Sequence, residues 1–478
     1  MKTIVEEKPI SFKELEQKIF SYVCELGREI TTAMLEAYDK ELAEGRDKKN
    51  YRDKGIRTTT IKTVYGEVSY GRHVYQTKLE DGKKACVYLL DEAMQMEKIG
   101  LISTNLAEKL AMTVTEAPYR VTAETISSTC GQSISAGGVW NVMQRLGERI
   151  SEEEEHAVKQ MHADQSEGKK EIPVLFEEMD GVWLSMQDEQ HKKMKKQEMK
   201  VFTMYEGWDK DQQRRSTLVG KTMLAGMESS RLFHEKREAL IEKKYDVDEI
   251  QQRILNGDGG SWIKETYDPD AIFQLDRYHV YQEILRKIND RSAQREARNL
   301  FEEGKTEELL EFLLVYADSV ETTDEKDNRS RNARELYRYL NNNKAGLLPY
   351  QKQGKKIPEP REGIVYKNMG VQESQNCTVI TMRMKHRRMR WSVKGASNMA
   401  KVLCCKENKE LCRTIEKYTD GLIFNARMNE IIETLSAAKT SKKDGKGNRY
   451  VELMRGHVPL IDAAATASRK AFRNAFIR

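Results

Sequence analysis

The sequence predicts an α/β core interrupted by a helical insertion, on three observations. From Ile172 the texture changes to three β-like segments, IPVLFEEMDGVWLSMQ, MKVFTMYEGW and STLVGKTMLAGM, separated by polar turns. A helical stretch over 229–252 follows, then two short strands ending at Gly257-Asp258-Gly259-Gly260 and at Leu275-Asp276. From Tyr278 to about Tyr350 the pattern is almost wholly helical and highly charged, too long for a simple loop.

The order β-β-β-α-β-α-β is that of a ribonuclease H-like fold, in which three antiparallel strands lead into parallel βα units. Taken in chain order, residues 11–46 read as one amphipathic helix, with Phe12, Leu15, Ile19, Val23, Leu26, Ile30 and Met34 at helical spacing. It is a packing or dimerising helix. RTTTIKTVYGEVSYGRHVYQ is rich in Thr, Val and Tyr and broken by Gly66 and Gly71, the pattern of a β-hairpin. Helical pattern returns at Leu101. Within it, a helix, a short turn at Cys130-Gly131-Gln132 and a second helix after Ser133 or Ser135 have the shape of a helix-turn-helix, although two ordinary packed helices would read the same way. A charged stretch over 151–171 reads as a helix end and linker. Beyond the insertion, KQGKKIPEPREG returns the chain to the core, with helices expected near 371–384 and 395–407. SKKDGKGNRY reads as a basic linker and the final AAATASRKAFRNAFIR as a basic helix. The expected domains are therefore 1–100 (helix and small β region), 101–160 (helix-turn-helix-like, DNA-binding), 172–289 (first part of the core), 290–360 (insertion), 361–410 (end of the core) and 411–478 (basic helical region).

Composition narrows the classes. Hydrophobic residues at 38% allow a packed core, whereas 33% charged residues imply long solvated helices or a polyanionic partner. The net charge is only +5, so the placement of basic residues matters more than their number. Seven scattered cysteines without a CxxC pair argue against a disulfide framework or zinc ribbon and fit reduced thiols in a cytoplasm. The start MKTIVEEKPISFKE lacks a signal-peptide pattern, and no apolar run of about 18 residues predicts a membrane span. A cytoplasmic protein without membrane contact is expected.

Three carboxylates carry the chemistry. Asp180 lies inside LFEEMDGVWLSM, flanked by Val174, Leu175 and Phe176 and by Val182, Trp183 and Leu184. An acid in a central strand is costly unless neutralised, and a divalent cation does that. Alternation puts Glu178 on the face of Asp180, where it can support the site. Asp258, in RILNGDGGSWI, stands where glycines let a strand stop sharply, at the sheet edge where α/β sites gather. Asp276 and His279, in QLDRYHVYQEI, follow at another strand-to-helix boundary, where the D-x-x-H can brace a site or cap the helix. Glu373 falls in the first turn of a helix after Gly370. Arg383, Lys385, His386, Arg387, Arg388 and Arg390 follow it, a cluster suited to phosphate, and Trp391 can stack on a base or pack inside. Together the acids suit two-metal phosphoryl transfer.

At EMDGVW, GDGGSWI, LDRYH and GVQESQN with RMKHRRMRWSVKGA, the chain resembles the DDE transposases of bacterial insertion sequences, of the ISLre type, related to the Mutator-like group. The likeness runs through most of the chain and is most specific from about 172 to 400. It implies Asp180, Asp258 and Glu373 as catalytic, metal-binding acids, with Asp276 and His279 as an accessory motif; Asp276 remains an alternative second acid. It implies two Mg²⁺ or Mn²⁺ ions and an N-terminal region that reads terminal inverted repeats. Element ends and target DNA are the expected partners, held by a homodimer or larger oligomer, nucleoid-associated when DNA-bound. Where many such enzymes carry a basic residue seven positions after the glutamate this chain has Ile380, and Arg383 one turn later is the expected substitute. Lys385, Arg387, Arg388, Arg390 and Trp391 complete the expected DNA-binding set. A ribonuclease H-like nuclease without strand transfer, or a non-catalytic DNA-binding derivative, are the competing readings.

Overall fold

The computed structural model describes residues 10–79, 82–94, 99–165, 168–211, 217–264, 268–322, 324 and 327–419, and the basic linker and final helix expected beyond 420 lie outside them. The described residues form two compact units, one of residues up to Ile61 with Tyr65–Met94, the other of Lys62–Val64 with the residues from Gln95 on.

In the first unit, α1 (Phe12–Gly45) opens on a capping box: Ser11 Oγ accepts the Glu14 amide at 3.2 Å and Glu14 accepts the Ser11 amide at 2.8 Å. The Thr/Val/Tyr-rich segment forms β1 (Arg52–Thr63) and β2 (Gly66–Lys78), and β3 (Lys84–Val87), which local pattern does not reveal, pairs antiparallel with β2. A short α2 (Leu89–Ala93) follows.

In the second unit, α3 (Thr104–Val114), α4 (Tyr119–Thr129) and α5 (Ala136–His162) precede the main sheet. The long α5 leans on a later helix so closely that a Cβ on Gly147 would stand 2.6 Å from the Asn398 Cα. Asn398 Nδ2 also donates to Gln144 Oε1 at 2.9 Å. Residues of α3, α4 and α5 share one apolar cluster with the sheet, so this region has a common core with the strands that follow. Trp140, Asn141 and Arg145 stay on the exposed side of α5.

The strands that follow are β4 (Val174–Leu184), β5 (Gln197–Tyr205), β6 (Gly207–Asp209), β7 (Leu218–Val219) and β8 (Thr222–Gly226). Next come α6 (Ser230–Lys244), β9 (Gln252–Gly257), α7 (Ser261–Lys264), β10 (Ile272–Leu275) and α8 (Arg277–Lys287). Strand order in the main sheet is β10-β9-β4-β5-β8. β4, β5 and β8 run antiparallel, whereas β4, β9 and β10 run parallel. The central β4 is buried along nearly its whole length because both faces are covered, which explains its unbroken apolar run. Helix α6 packs Phe233 and Ile241 against one face, with Leu175, Met179 and Phe202.

Helices α9 (Arg291–Glu303), α10 (Thr306–Ser319) and α11 (Arg329–Asn342) occupy the insertion and share an apolar cluster with α8. β11 (Ile364–Val365) then completes a small sheet of order β11-β6-β7. The Glu373 region is α12 (Gln372–Gln375), a π-helical stretch (Asn376–Thr381) and α13 (Met382–Met384). Two helices close the described chain, α14 (Val393–Glu407) and α15 (Leu411–Thr419). Among the described residues, no helix is long and apolar enough to cross a membrane. All seven cysteines are free thiols.

Candidate metal centre

Three segments far apart in sequence meet beside the middle of β4. Asp180 projects from that strand, His279 from the first turn of α8 and Glu373 from α12, and one ligand atom from each lies within 4.8 Å of the others. Asp180 is 7% exposed, so its charge is largely removed from water, while Glu373 stands at the open side. The buried acid is held in place on both oxygens. Its Oδ1 accepts the Gly181 amide at 2.7 Å and its Oδ2 accepts Asn376 Nδ2 at 2.7 Å. His279 Nε2 lies 3.5 Å from the same Oδ2. The glycine after Asp180 has its own cause: a Cβ there would stand 1.9 Å from Glu198 Oε1 on β5.

Electrostatics follow from this crowding. Burial opposes the His279 cation, but the hydrogen bond and charge of Asp180, with Asp276 and Asp258, outweigh it and raise its pKa to about 9. Burial also raises the Asp258 pKa, with Asp180 and Asp276 adding to the rise and the Gly260 amide and His279 opposing it. Two carboxylates suit Mg²⁺ or Mn²⁺, and the imidazole favours Mn²⁺ of the two, since Mg²⁺ prefers oxygen ligands. By its chemistry the donor set fits a single divalent cation.

Asp258 lies just past β9 and outside that tight set. Its Oδ1 accepts the Gly260 amide at 2.8 Å, and its carbonyl accepts the Tyr339 hydroxyl of α11 at 2.9 Å. Gly259 is required twice over, by a φ of +83° and by Asn343 Oδ1, which a Cβ would approach to 2.5 Å. Asp276 is the N-cap of α8. Its Oδ1 accepts the amides of Tyr278 at 2.8 Å and His279 at 3.4 Å, and its Oδ2 accepts Asn256 Nδ2 at 2.7 Å. Of the two alternatives for this D-x-x-H, the aspartate caps and the histidine reaches the acids.

The expected DNA-binding residues separate into two groups. Arg383 and Trp391 are not on the surface: they are 5% and 7% exposed. Arg383 Nε donates to the Val114 carbonyl at 2.5 Å, and its guanidinium lies 5.5 Å from the ring centroids of both Tyr119 and Trp391. Trp391 Nε1 donates to the Met384 carbonyl at 2.9 Å. The correction has a physical reason, since the π-helical stretch shifts the register after Glu373 and turns Arg383 inward, where aromatic faces receive it. Ile380, seven positions after Glu373, is fully buried. Lys385, Arg388 and Arg390 are exposed, and the side chain of Arg387 lies outside the described residues.

Sequence reasoning missed three contributors. Asn376 and Asn256 are buried amides whose roles depend on contacts 196 and 78 residues away in the chain. The third is the exposed run Lys192, Lys193, Lys195 and Lys196 between β4 and β5. Gln187 donates its amide to the Trp391 carbonyl at 2.9 Å and Trp391 donates to Ser185 at 3.0 Å, which brings this loop's base beside the 385–390 segment. The KKMKK pattern itself was the available signal.

A model of an uncharacterised protein family, UPF0236, matches residues 5–419. A UPF0236 protein of Caldanaerobacter subterraneus subsp. tengcongensis, named by eleven loci, is 24% identical over 458 residues, covering 92% of this chain and 88% of its own. A second protein of that organism, named by four loci, is 24% identical over 460 residues, covering 92% and 88%. A UPF0236 protein of Streptococcus gallolyticus, named for the vanSb 3′ region, is 25% identical over 403 residues, 83% of each chain.

Proposed function

This chain belongs to the uncharacterised UPF0236 family, and we propose that it is a DNA transposase whose acids Asp180 and Glu373, with His279 and Asp258 beside them, carry out metal-dependent phosphoryl transfer. The observation that carries the reading is the convergence of Asp180, His279 and Glu373 from a central strand, a helix start and a distant helix. The strand order with three antiparallel and two added parallel strands supports a ribonuclease H-like core. A relative named at eleven loci of one organism has the distribution that a self-copying DNA element produces.

A divalent cation at this site supplies Lewis acidity, which makes a water or 3′-hydroxyl a better nucleophile and offsets charge at the phosphate. Asp180, Glu373 and His279 are the residues that would hold it. Asn376 and the Gly181 amide keep Asp180 from turning away, so its free lone pairs face the other two donors. A second ion would draw on Asp258, whose Oδ1 already accepts the Gly260 amide. Exposed Lys192, Lys193, Lys195, Lys196, Lys385, Arg388 and Arg390 offer a surface for the phosphate backbone. The substrates are the element's terminal inverted repeats and a target duplex, brought together by two or more copies of the chain, with α4 and α5 as the candidate reading helices.

The test is cleavage and strand transfer on labelled DNA carrying the element's ends, with Mg²⁺ or Mn²⁺. Wild type should cut and join, while Asp180→Asn and Glu373→Gln should bind the ends without cutting them. Cutting without joining would replace transposition by simple nuclease action. Binding without either would overturn the enzyme reading.

A further inference from the structure

One residue before Met179, and two before Asp180, the strand carries an acid that no solvent reaches. Glu178 is fully buried, yet five donors surround it. The Tyr205 hydroxyl donates to Oε1 at 2.6 Å. The Gly370 and Val371 amides donate to the same oxygen at 3.1 and 3.2 Å, and the Gln372 amide donates to Oε2 at 3.1 Å. The fifth donor is Asn256 Nδ2, at 3.1 Å from Oε2. The three amides are those immediately preceding Glu373, at the start of its helix, where unpaired N–H groups and the helix dipole favour an anion.

Asn256 joins this acid to a second one. The same Nδ2 that reaches Glu178 also donates to Asp276 Oδ2 at 2.7 Å, and Asp276 caps the helix that bears His279. Sheet register makes the link rigid: Glu178, Asn256 and Gln274 stand opposite one another on β4, β9 and β10. Gln274 Nε2 then donates to Asn256 Oδ1 at 3.1 Å, which fixes which way the Asn256 amide points. The result is two buried acids, each holding one helix start, tied by one amide.

We infer that Glu178, Asn256 and Asp276 form a brace that sets the spacing between Glu373 and His279 across Asp180. They are positioning residues: Glu178 and Asp276 act through backbone amides of the helix starts, Asn256 acts through those two carboxylates, and none joins the three donor atoms that converge. The inference rests on the proposed metal site for what the spacing serves, but the brace itself exists without the ion. A carboxylate is required at 178 because both oxygens accept. Glutamine would keep one acceptor and turn an NH₂ group toward an amide that also donates, so one end of the brace must open.

The experiment uses the full chain with Glu178→Gln, Asn256→Ala and, as a control, Glu177→Gln, a neighbouring buried acid in a separate ion-pair cluster. Two readouts are taken: amide hydrogen exchange without metal, and Mn²⁺ binding followed by electron paramagnetic resonance. In Glu178→Gln, exchange should rise at residues 370–376 and also at 277–281, which Glu178 does not touch. Asn256→Ala should unprotect both segments as well, and both variants should bind Mn²⁺ about 10- to 100-fold more weakly, the usual cost of losing an outer-shell partner. The control should do neither. Unchanged protection at 277–281 in both variants would overturn the brace, as would an equal effect of Glu177→Gln, which would mark general loosening. If wild type takes up no Mn²⁺ while the two segments still respond together, the brace stands and the metal reading falls.

Discussion

Adjacent acids on β4 meet opposite fates. Glu177 faces one side of the sheet, where Arg253 binds both its oxygens at 2.7 and 2.9 Å and also grips Glu238 at 2.8 and 2.9 Å. Arg237 donates to Glu238 at 2.6 Å and lies 3.8 Å from Glu177. Two acids and two guanidinium groups balance there, deep in the core. Glu178 and Asp180 face the other side, with Asp258, Asp276 and Glu373, and among the described residues no Lys or Arg pairs with any of the five. His279 is the one cationic partner the geometry offers them. The first cluster is closed by guanidinium groups, whereas the second is held by amide, hydroxyl and imidazole donors, and the proposed cation rests on that difference.

That contrast can be broken at several points. The largest effect is expected at Asp180→Asn and Glu373→Gln, which should lower strand cleavage by at least about 10³-fold, and at the exposed Glu373 the urea midpoint should stay unchanged. Arg253→Met should do the reverse. Leaving Glu177 and Glu238 less compensated should cost about 3–5 kcal/mol in urea denaturation, without changing activity per folded molecule. Mn²⁺ at about 100 times its Kd should stabilise wild type by about 2.7 kcal/mol, and a thermal shift that persists in Asp180→Asn would place the ion elsewhere.

Acid should read out the architectural acids. Burial opposes the charge of Glu238, but Arg237 and Arg253 win and lower its pKa to about 2. Glu228 is also lowered to about 2, with Lys401 and Lys236 overcoming its burial. Their stabilising contribution is present above the ordinary value of 4.5 and is lost as pH falls from there toward about 2. Stability measured over that window should fall more steeply in wild type than in Glu228→Gln. The smallest effect is expected for Tyr339→Phe, which removes one hydrogen bond to the Asp258 carbonyl and should cost about 0.5–1.5 kcal/mol.

What the sequence made legible was local. The apolar run around Asp180, the glycines around Asp258 and the long amphipathic stretches each announce a strand, a strand end or a helix, and β4, β9 and α9–α11 occupy those places. The helix expected over 229–252 ends at Lys244, because Tyr245 is already extended and β9 begins at Gln252. Pairings between distant segments left no local trace. β3, the small β11-β6-β7 sheet and the Asn256 link are of that kind. His279 was placed near the site, but its arrival at Asp180 itself depends on how Asp276 sets the first turn of α8. Arg383 looked like a surface cation because period alone cannot show Tyr119 waiting on a helix 264 positions earlier.

The π-helical stretch after Glu373 makes the chain unusually sensitive to how the helix is wound there. A π turn holds one residue more than an α turn, so rewinding Asn376–Thr381 into ordinary α-helix with no residue removed would change the phase of all that follows. Glu373 would keep its place beside Asp180, whereas everything downstream would rotate by about 100°. Arg383 would leave its slot between Tyr119 and Trp391, and Met384 would lose the carbonyl contact that seats the indole. A substitution that straightens this stretch without removing a residue would thus leave all the acids intact and still unseat the joint that ties their helix to α3 and α4.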